Sequence, residues 1–167
     1  TQDAAFYRHG GGLTVGGGEP LMQAEFVSSL LREAKKHLLD TSLETCGFAK
    51  EENLLMVCRE VNYIFYDLKH FDSQEHKKLT GVGNELIFNN LKILSEKLPY
   101  IPVTVRTPII PGYNDAPENI RAIAEFVCQL PNIRKYELLP YHSFGANKYS
   151  QLGRKYPLPM QSAPSSE

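Results

Sequence analysis

Five short runs of β-type residues alternate with amphipathic stretches along this chain, and that alternation leaves few folds open. The runs are Leu13–Gly16, Thr41–Thr45, Tyr63–Leu68, Pro102–Thr107 and Lys135–Pro140. Each gathers β-branched, aromatic and Leu residues over a strand's length, as buried strands do. Pro20 stands where a first helical turn tolerates it, and Phe26, Leu30 and Ala34 then recur on one face. Lys50–Arg59 predicts a weaker helix. From Asn84, the residues Ile87, Leu91, Leu94 and Leu98 repeat at helical spacing. Asp115 and Glu118 read as a capping box ahead of a stripe formed by Ile120, Ile123 and Val127. Strand–helix alternation of this kind predicts an α/β fold, a parallel sheet with helices packed outside it. A closed eight-stranded barrel takes about 250 residues, so an open sheet or a partial (β/α) barrel is expected.

With 167 residues, 42% of them hydrophobic, the chain suffices for one domain with a core. That domain is expected over residues 1–156. Residues 157–167 are rich in Pro and Ser, have no periodic pattern, and read as a frayed tail. The abrupt start at Thr1, without an initiator Met, reads as a cut end. A formal net charge of −1 argues against nucleic-acid and anionic-membrane partners, which select a clustered basic face. No apolar run approaches the ~20 residues that cross a bilayer. Nor does a secretory leader open the chain, so a cytoplasmic location is expected. Cys46, Cys58 and Cys128 show no Cys-x-x-Cys spacing. Their odd number and wide spacing argue against a disulfide framework, and they read as reduced, partly buried thiols.

Ligands of parallel α/β folds bind at the carboxyl ends of the strands. Those ends carry Glu19, then Glu44 with Thr45, then Asp67 with Lys69, then Arg106, then His142. Every strand thus delivers a charged or titratable group to one face, which predicts a shared polar site. Carboxylates mixed with two cations and a ring suit a zwitterionic ligand better than a bare phosphate. The glycines do not make a nucleotide loop. The stretch Gly11–Gly17 lacks the P-loop lysine and its Ser or Thr, and Val15 and Leu21 occupy the third place of the dinucleotide pattern. Taken alone, Gly16-Gly17-Gly18 before Glu19 reads equally as a ligand cradle and as a flexible turn.

The ordered series of motifs resembles a family. Gly16-Gly17-Gly18-Glu19-Pro20 resembles the Gly-Gly-Glu-Pro strand of radical S-adenosylmethionine enzymes. Phe6-Tyr7, Leu43-Glu44-Thr45-Cys46-Gly47, Tyr66-Asp67-Leu68-Lys69, Leu79–Asn84, Arg106 with Pro111–Asp115, and Leu138–His142 extend the likeness through nearly the whole chain. More narrowly, the chain is similar to activating enzymes of glycyl radical enzymes, of which the pyruvate formate-lyase activating enzyme is the type. The resemblance implies a partial (β/α) barrel that presents S-adenosylmethionine to a 4Fe–4S cluster. Reductive cleavage there gives methionine and a 5′-deoxyadenosyl radical, which removes hydrogen from a glycine of the partner enzyme. The electron would come from flavodoxin or ferredoxin.

Carried over by position, the resemblance implies that Gly17, Gly18 and Glu19 take the methionyl ammonium, and that Lys69 faces the carboxylate. Glu44, Thr45 and Asp67 would surround that carboxylate, with a possible monovalent cation among them. His142 would lie on the ribose and adenine side, and Arg106 near the reacting glycine loop, so that Arg106 and Lys69 are the candidate catalytic pair. Three departures stand out. Gly16 replaces a frequent Ser, and Glu44 replaces the Asp of the type enzyme. The Cys-x-x-x-Cys-x-x-Cys loop that holds the cluster in the family is absent from this chain. The cluster is therefore expected only in a longer parent, and this chain alone is expected to be inactive. Without a preceding strand the first run is an exposed edge, expected to be covered by residues 1–9 or by self-association. Two other readings stay open: a radical enzyme acting on a small molecule, and a non-catalytic domain that binds S-adenosylmethionine or a partner loop.

Overall fold

All five strands lie parallel in one sheet, in the order in which they occur along the chain. A computed structural model describes residues 11–141 and 146–155. The strands are β1 Gly12–Val15, β2 Asp40–Thr45, β3 Tyr63–Asp67, β4 Val103–Ile109 and β5 Ile133–Pro140. Helices α1 Ala24–Lys36, α2 Glu51–Cys58, α3 Ser73–Thr80, α4 Glu85–Lys97 and α5 Pro117–Val127 follow them, and a short α6 spans Ala146–Gln151. β1 and β5 are the two edges and do not pair with each other, so the sheet is an unclosed portion of a barrel. The segments expected to cover the β1 edge and to fray at the carboxyl terminus lie outside the described residues.

Side chains alternate across the sheet and give its two faces different tasks. Leu43, Ile64, Tyr66, Val103 and Val105 point to the helices, where Leu31, Leu54, Leu91, Leu94 and Ile123 meet them in one continuous core. Burial of each such side chain contributes about 1.5–3 kcal/mol. The other face carries Thr14, Ser42, Glu44, Phe65, Asp67, Thr104 and Arg106, joined across strands by bonds such as Thr14 to Ser42 at 2.7 Å and Tyr63 to Thr104. The charged side chains of this face, Glu44, Asp67 and Arg106, gather toward the carboxyl ends of adjacent strands and position the site.

Two local expectations are corrected, and one helix forms where no apolar period announced it. Phe26 and Leu30 do share a helical face, but it is an outer one, 64% and 37% exposed. Of the expected stripe only Ala34 is buried, together with Ala24, Val27, Ser28 and Leu31. Both stripes contain large apolar residues at the same spacing, and the small residues of the second let the helix approach the sheet closely. Asp115 does not cap α5. Its carboxylate accepts from Gly112 N–H at 2.9 Å, tightening the preceding turn, and the N-cap position is Ala116. Finally, α3 is a helix without an apolar stripe, because His76 is its one buried residue. Asp72 caps it by accepting from the N–H groups of Gln74 and Glu75, and Gly81 ends it at φ 88°.

Candidate functional site

The turn after β1 is tied to the end of β2 through one carboxylate. Glu19 Oε1 accepts from Thr45 Oγ1 at 2.7 Å and from Leu21 N–H at 3.1 Å. Its Oε2 accepts from Cys46 N–H at 2.9 Å and from Cys46 Sγ at 3.0 Å. Four donors nearly exhaust the carboxylate's acceptor sites. Thr45 passes the link on by accepting from Gly47 N–H at 2.8 Å. Burial first, then the bond to Glu19, pushes the Cys46 thiol up to about 11. Gly17 and Gly18 stand exposed in the turn, Gly17 at φ 118°, with no protein atom within 4 Å of where a Cβ would stand. Space beside these peptide groups is therefore open to a ligand.

Arg106 lies across the floor. It donates from Nε and Nη2 to Asp67 Oδ1, both at 3.3 Å, and from Nη1 to Glu44 Oε1 at 3.2 Å. Its guanidinium sits 4.7 Å from the Phe65 ring centre, and the side chain is 16% exposed. Burial raises the Asp67 carboxyl, against the opposing pull of Arg106 and Lys69. The resemblance put Arg106 beside the reacting glycine loop; here it is held between two carboxylates of neighbouring strands.

Lys69 follows β3 on a loop whose backbone is held by three asparagines. Asn114 donates to Lys69 O at 2.9 Å and to Pro108 O at 2.8 Å. Asn84 donates to His70 O at 2.7 Å and Phe71 O at 2.8 Å, while Asn119 accepts from Phe71 N–H at 2.8 Å. All three are buried. No hydrogen-bond partner is found for the Lys69 ammonium among the described residues, and it lines the cavity.

Gly17, Gly18, Glu19, Glu44, Thr45, Cys46, Asp67, Lys69 and Arg106 together line a cavity of about 300 Å³. Eight of the nine were singled out from the sequence. The ninth, Cys46, stands within the Leu43–Gly47 motif of the resemblance, which assigned it no role as a ligand. His142 lies outside the described residues. Three carboxylates against two cations give the lining a charge of −1 when all are ionised. A second hollow of about 210 Å³, with Met22, Phe48, Val82 and Ile87 in its wall, shares Glu19, Cys46 and Lys69 with the first. A larger hollow of about 390 Å³ is walled by Gly12, Asp40, Ser42 and Tyr63 and has Asp40 as its one charged residue. It lacks the converging charges of the first, which is the better candidate.

The family model of the radical SAM superfamily matches residues 2–127. The chain belongs to the radical SAM superfamily. Membership implies the use of S-adenosylmethionine with an iron–sulfur cluster. This radical SAM chain is 46% identical over 158 residues to an isethionate sulfite-lyase activating enzyme of Desulfovibrio desulfuricans, covering 94% of itself and 50% of that protein. It is 49% identical to a (2S)-3-sulfopropanediol sulfolyase activating enzyme of Bilophila wadsworthia, covering 94% of itself and 52% of that protein. A crystallised domain of a pyruvate-formate lyase-activating enzyme from Bacteroides vulgatus superposes with a TM-score of 0.73 at 32% identity, over 87% of this chain and 97% of that one. The radical SAM chain thus spans about half the length of the curated relatives it matches. Among its described residues, no three or more His, Cys, Asp or Glu side chains are grouped to hold a metal ion, and no helix is long and apolar enough to cross a membrane.

Proposed function

We propose that this chain is the S-adenosylmethionine-holding part of an activating enzyme that generates a glycyl radical on a pyruvate formate-lyase-like partner. Flavodoxin or ferredoxin would supply the electron. The observation that carries the reading is the charge of the cavity. S-adenosylmethionine bears an ammonium, a sulfonium and a carboxylate, a net +1 that complements a lining of −1. The names of the relatives, all activating enzymes, support the same role.

The residues present fit the methionine end of that ligand. Lys69, with no protein acceptor among the described residues, meets the carboxylate. The open peptide groups of Gly17 and Gly18 lie beside the ammonium, and Glu19 contributes its charge there while its oxygens hold Thr45 and Cys46 in place. Asp67, Glu44 and Arg106 form a fixed floor that need not reorganise when the ligand enters. His142 is assigned the ribose and adenine side. With a reduced cluster, the bound cofactor supplies a carbon radical able to take hydrogen from a peptide glycine. The cluster itself does not fit this chain. Cys46 is bonded to Glu19, Cys58 is buried in the core, and Cys128 is exposed at the end of α5, so no step is assigned to these thiols.

The test is anaerobic reconstitution of the gene's complete product with iron and sulfide, then incubation with S-adenosylmethionine, a reductant and a candidate partner. A glycyl-radical doublet in the electron paramagnetic resonance spectrum, lost in Lys69→Ala, is expected. Cofactor cleavage without a radical on any partner would favour small-molecule chemistry. Submicromolar S-adenosylmethionine binding by this chain without iron would favour a non-catalytic binding domain.

A further inference from the structure

Two departures from the family pattern, Gly16 and Glu44, meet at one point. A Cβ built on Gly16 would stand 2.9 Å from Glu44 Oε2 and 3.4 Å from Glu44 Cβ. The longer carboxylate therefore occupies the space a Ser side chain at position 16 would need. The extra methylene also lets Glu44 meet Arg106 Nη1 at 3.2 Å, while the same guanidinium holds Asp67. Thr45 Oγ1 is turned the other way, to Glu19. The Thr45 hydroxyl is thus engaged elsewhere, and one oxygen of each carboxylate already meets the same guanidinium. That donor set does not fit a metal ion.

We propose that Gly16, Glu44 and Arg106 are one coupled unit, in which the guanidinium serves as the built-in counter-ion of the cavity and no monovalent cation is needed. A guanidinium has five N–H groups, and three are used here, from Nε, Nη1 and Nη2. Two remain to receive an anionic group alongside Lys69. A metal ion between Glu44 and Asp67 would have to share them with the guanidinium that already bridges the two, a like charge beside it, and would bring the lining charge from −1 to zero, removing its complementarity to a ligand of net +1. The role of the unit in holding a carboxylate rests on the proposed function, but its coupling and its lack of a cation rest on geometry alone.

The experiment therefore contains no S-adenosylmethionine, so either idea can fail without the other. Sodium-23 relaxation is measured on this chain up to 100-fold excess NaCl, with KCl as competitor. The wild type is expected to show no saturable, potassium-displaceable broadening, whereas the double variant Gly16→Ser with Glu44→Asp gains it. Saturable sodium binding in the wild type that Asp67→Asn abolishes would overturn the proposal. Urea unfolding supplies the second arm as a double-mutant cycle. Because the atom in the way is the end of a flexible side chain that can swing aside, Gly16→Ser should lower the folding constant about threefold beside the native Glu44, and by little in the Glu44→Asp background. Equal losses in the two backgrounds would show that positions 16 and 44 are independent and would also overturn it.

Discussion

Glu19 and Cys46 meet twice, because one carboxylate oxygen accepts both the backbone N–H of Cys46 at 2.9 Å and its thiol at 3.0 Å. With Thr45 and Leu21 on the other oxygen, Glu19 fastens the turn after β1 to the end of β2. Glu19→Ala leaves these donors without their shared acceptor and is expected to cost about 2–4 kcal/mol of stability. Glu19→Gln keeps one acceptor oxygen and should cost about half as much. Urea unfolding monitored by circular dichroism reads both. An Ala variant as stable as wild type would remove Glu19 from this structural role.

Burial, and then this same contact, slow the reaction of the Cys46 thiol. Only a thiolate attacks an alkylating reagent efficiently. Cys46 is pushed up to about 11, the buried Cys58 thiol is pushed higher still by desolvation, and Cys128 is exposed. At pH 8, iodoacetamide should label Cys128 first and Cys46 more slowly by a factor on the order of 100. Cys58 should react only after unfolding. Peptide mass mapping of a time course gives the order, and equal rates at Cys46 and Cys128 would contradict it.

His76 introduces a pH dependence. The residue is 3% exposed, and its Nδ1–H donates to Val82 O at 2.8 Å. Burial lowers its pKa below the ordinary 6.5, opposed by the Val82 carbonyl and assisted by Lys69 and His70. Between the folded and unfolded values the unfolded chain binds more protons, so stability rises with pH across that window. This contribution is fully present above the unfolded value of 6.5 and is lost as pH falls through the folded one. The melting temperature should drop between pH 7.5 and 5.5, and drop less in His76→Gln. Parallel profiles for the two proteins would rule the histidine out.

Leu38 closes α1 in a backbone shape that suits glycine. Its φ is 59°, its side chain is 94% exposed, and Leu39 N–H reaches back to Ala34 O at 3.2 Å. A left-handed residue after a helix costs a Cβ-bearing side chain roughly 1 kcal/mol. Leu38→Gly should therefore stabilise the protein by about 0.5–1 kcal/mol, a gain that differential scanning calorimetry resolves. Leu38→Ala should not reproduce it, since it keeps the Cβ.

The strands were legible to within a few residues because buried parallel strands concentrate β-branched and aromatic side chains. The strand ends then led directly to six residues of one cavity, and the family resemblance added Gly17 and Gly18. What stayed hidden was orientation and long-range bonding. Phe26 and Val27 both start apolar stripes, and only packing decides which one turns inward. Arg106 occupies the expected strand end, but a strand position does not say which neighbour a long side chain will take. Helix α3 is specified by Asp72 and Gly81 at its ends rather than by any apolar period. Asn84, Asn114 and Asn119 hold the backbone of Lys69, His70 and Phe71 from 13 to 48 residues away, separations that no local pattern encodes.

The asparagine clamp also sets a schedule for synthesis. The chain leaves the ribosome amino end first, so the wall built from Glu19, Thr45 and Cys46 has all its parts once residue 46 has emerged. The opposite wall, at Lys69, waits for Asn84, then Asn114, then Asn119. For the time it takes to translate these 50 residues, from 69 to 119, the lysine loop lacks part of its anchorage. The cavity is thus completed from one side to the other, and a nascent chain halted before residue 114 would carry one finished wall facing an unfastened one.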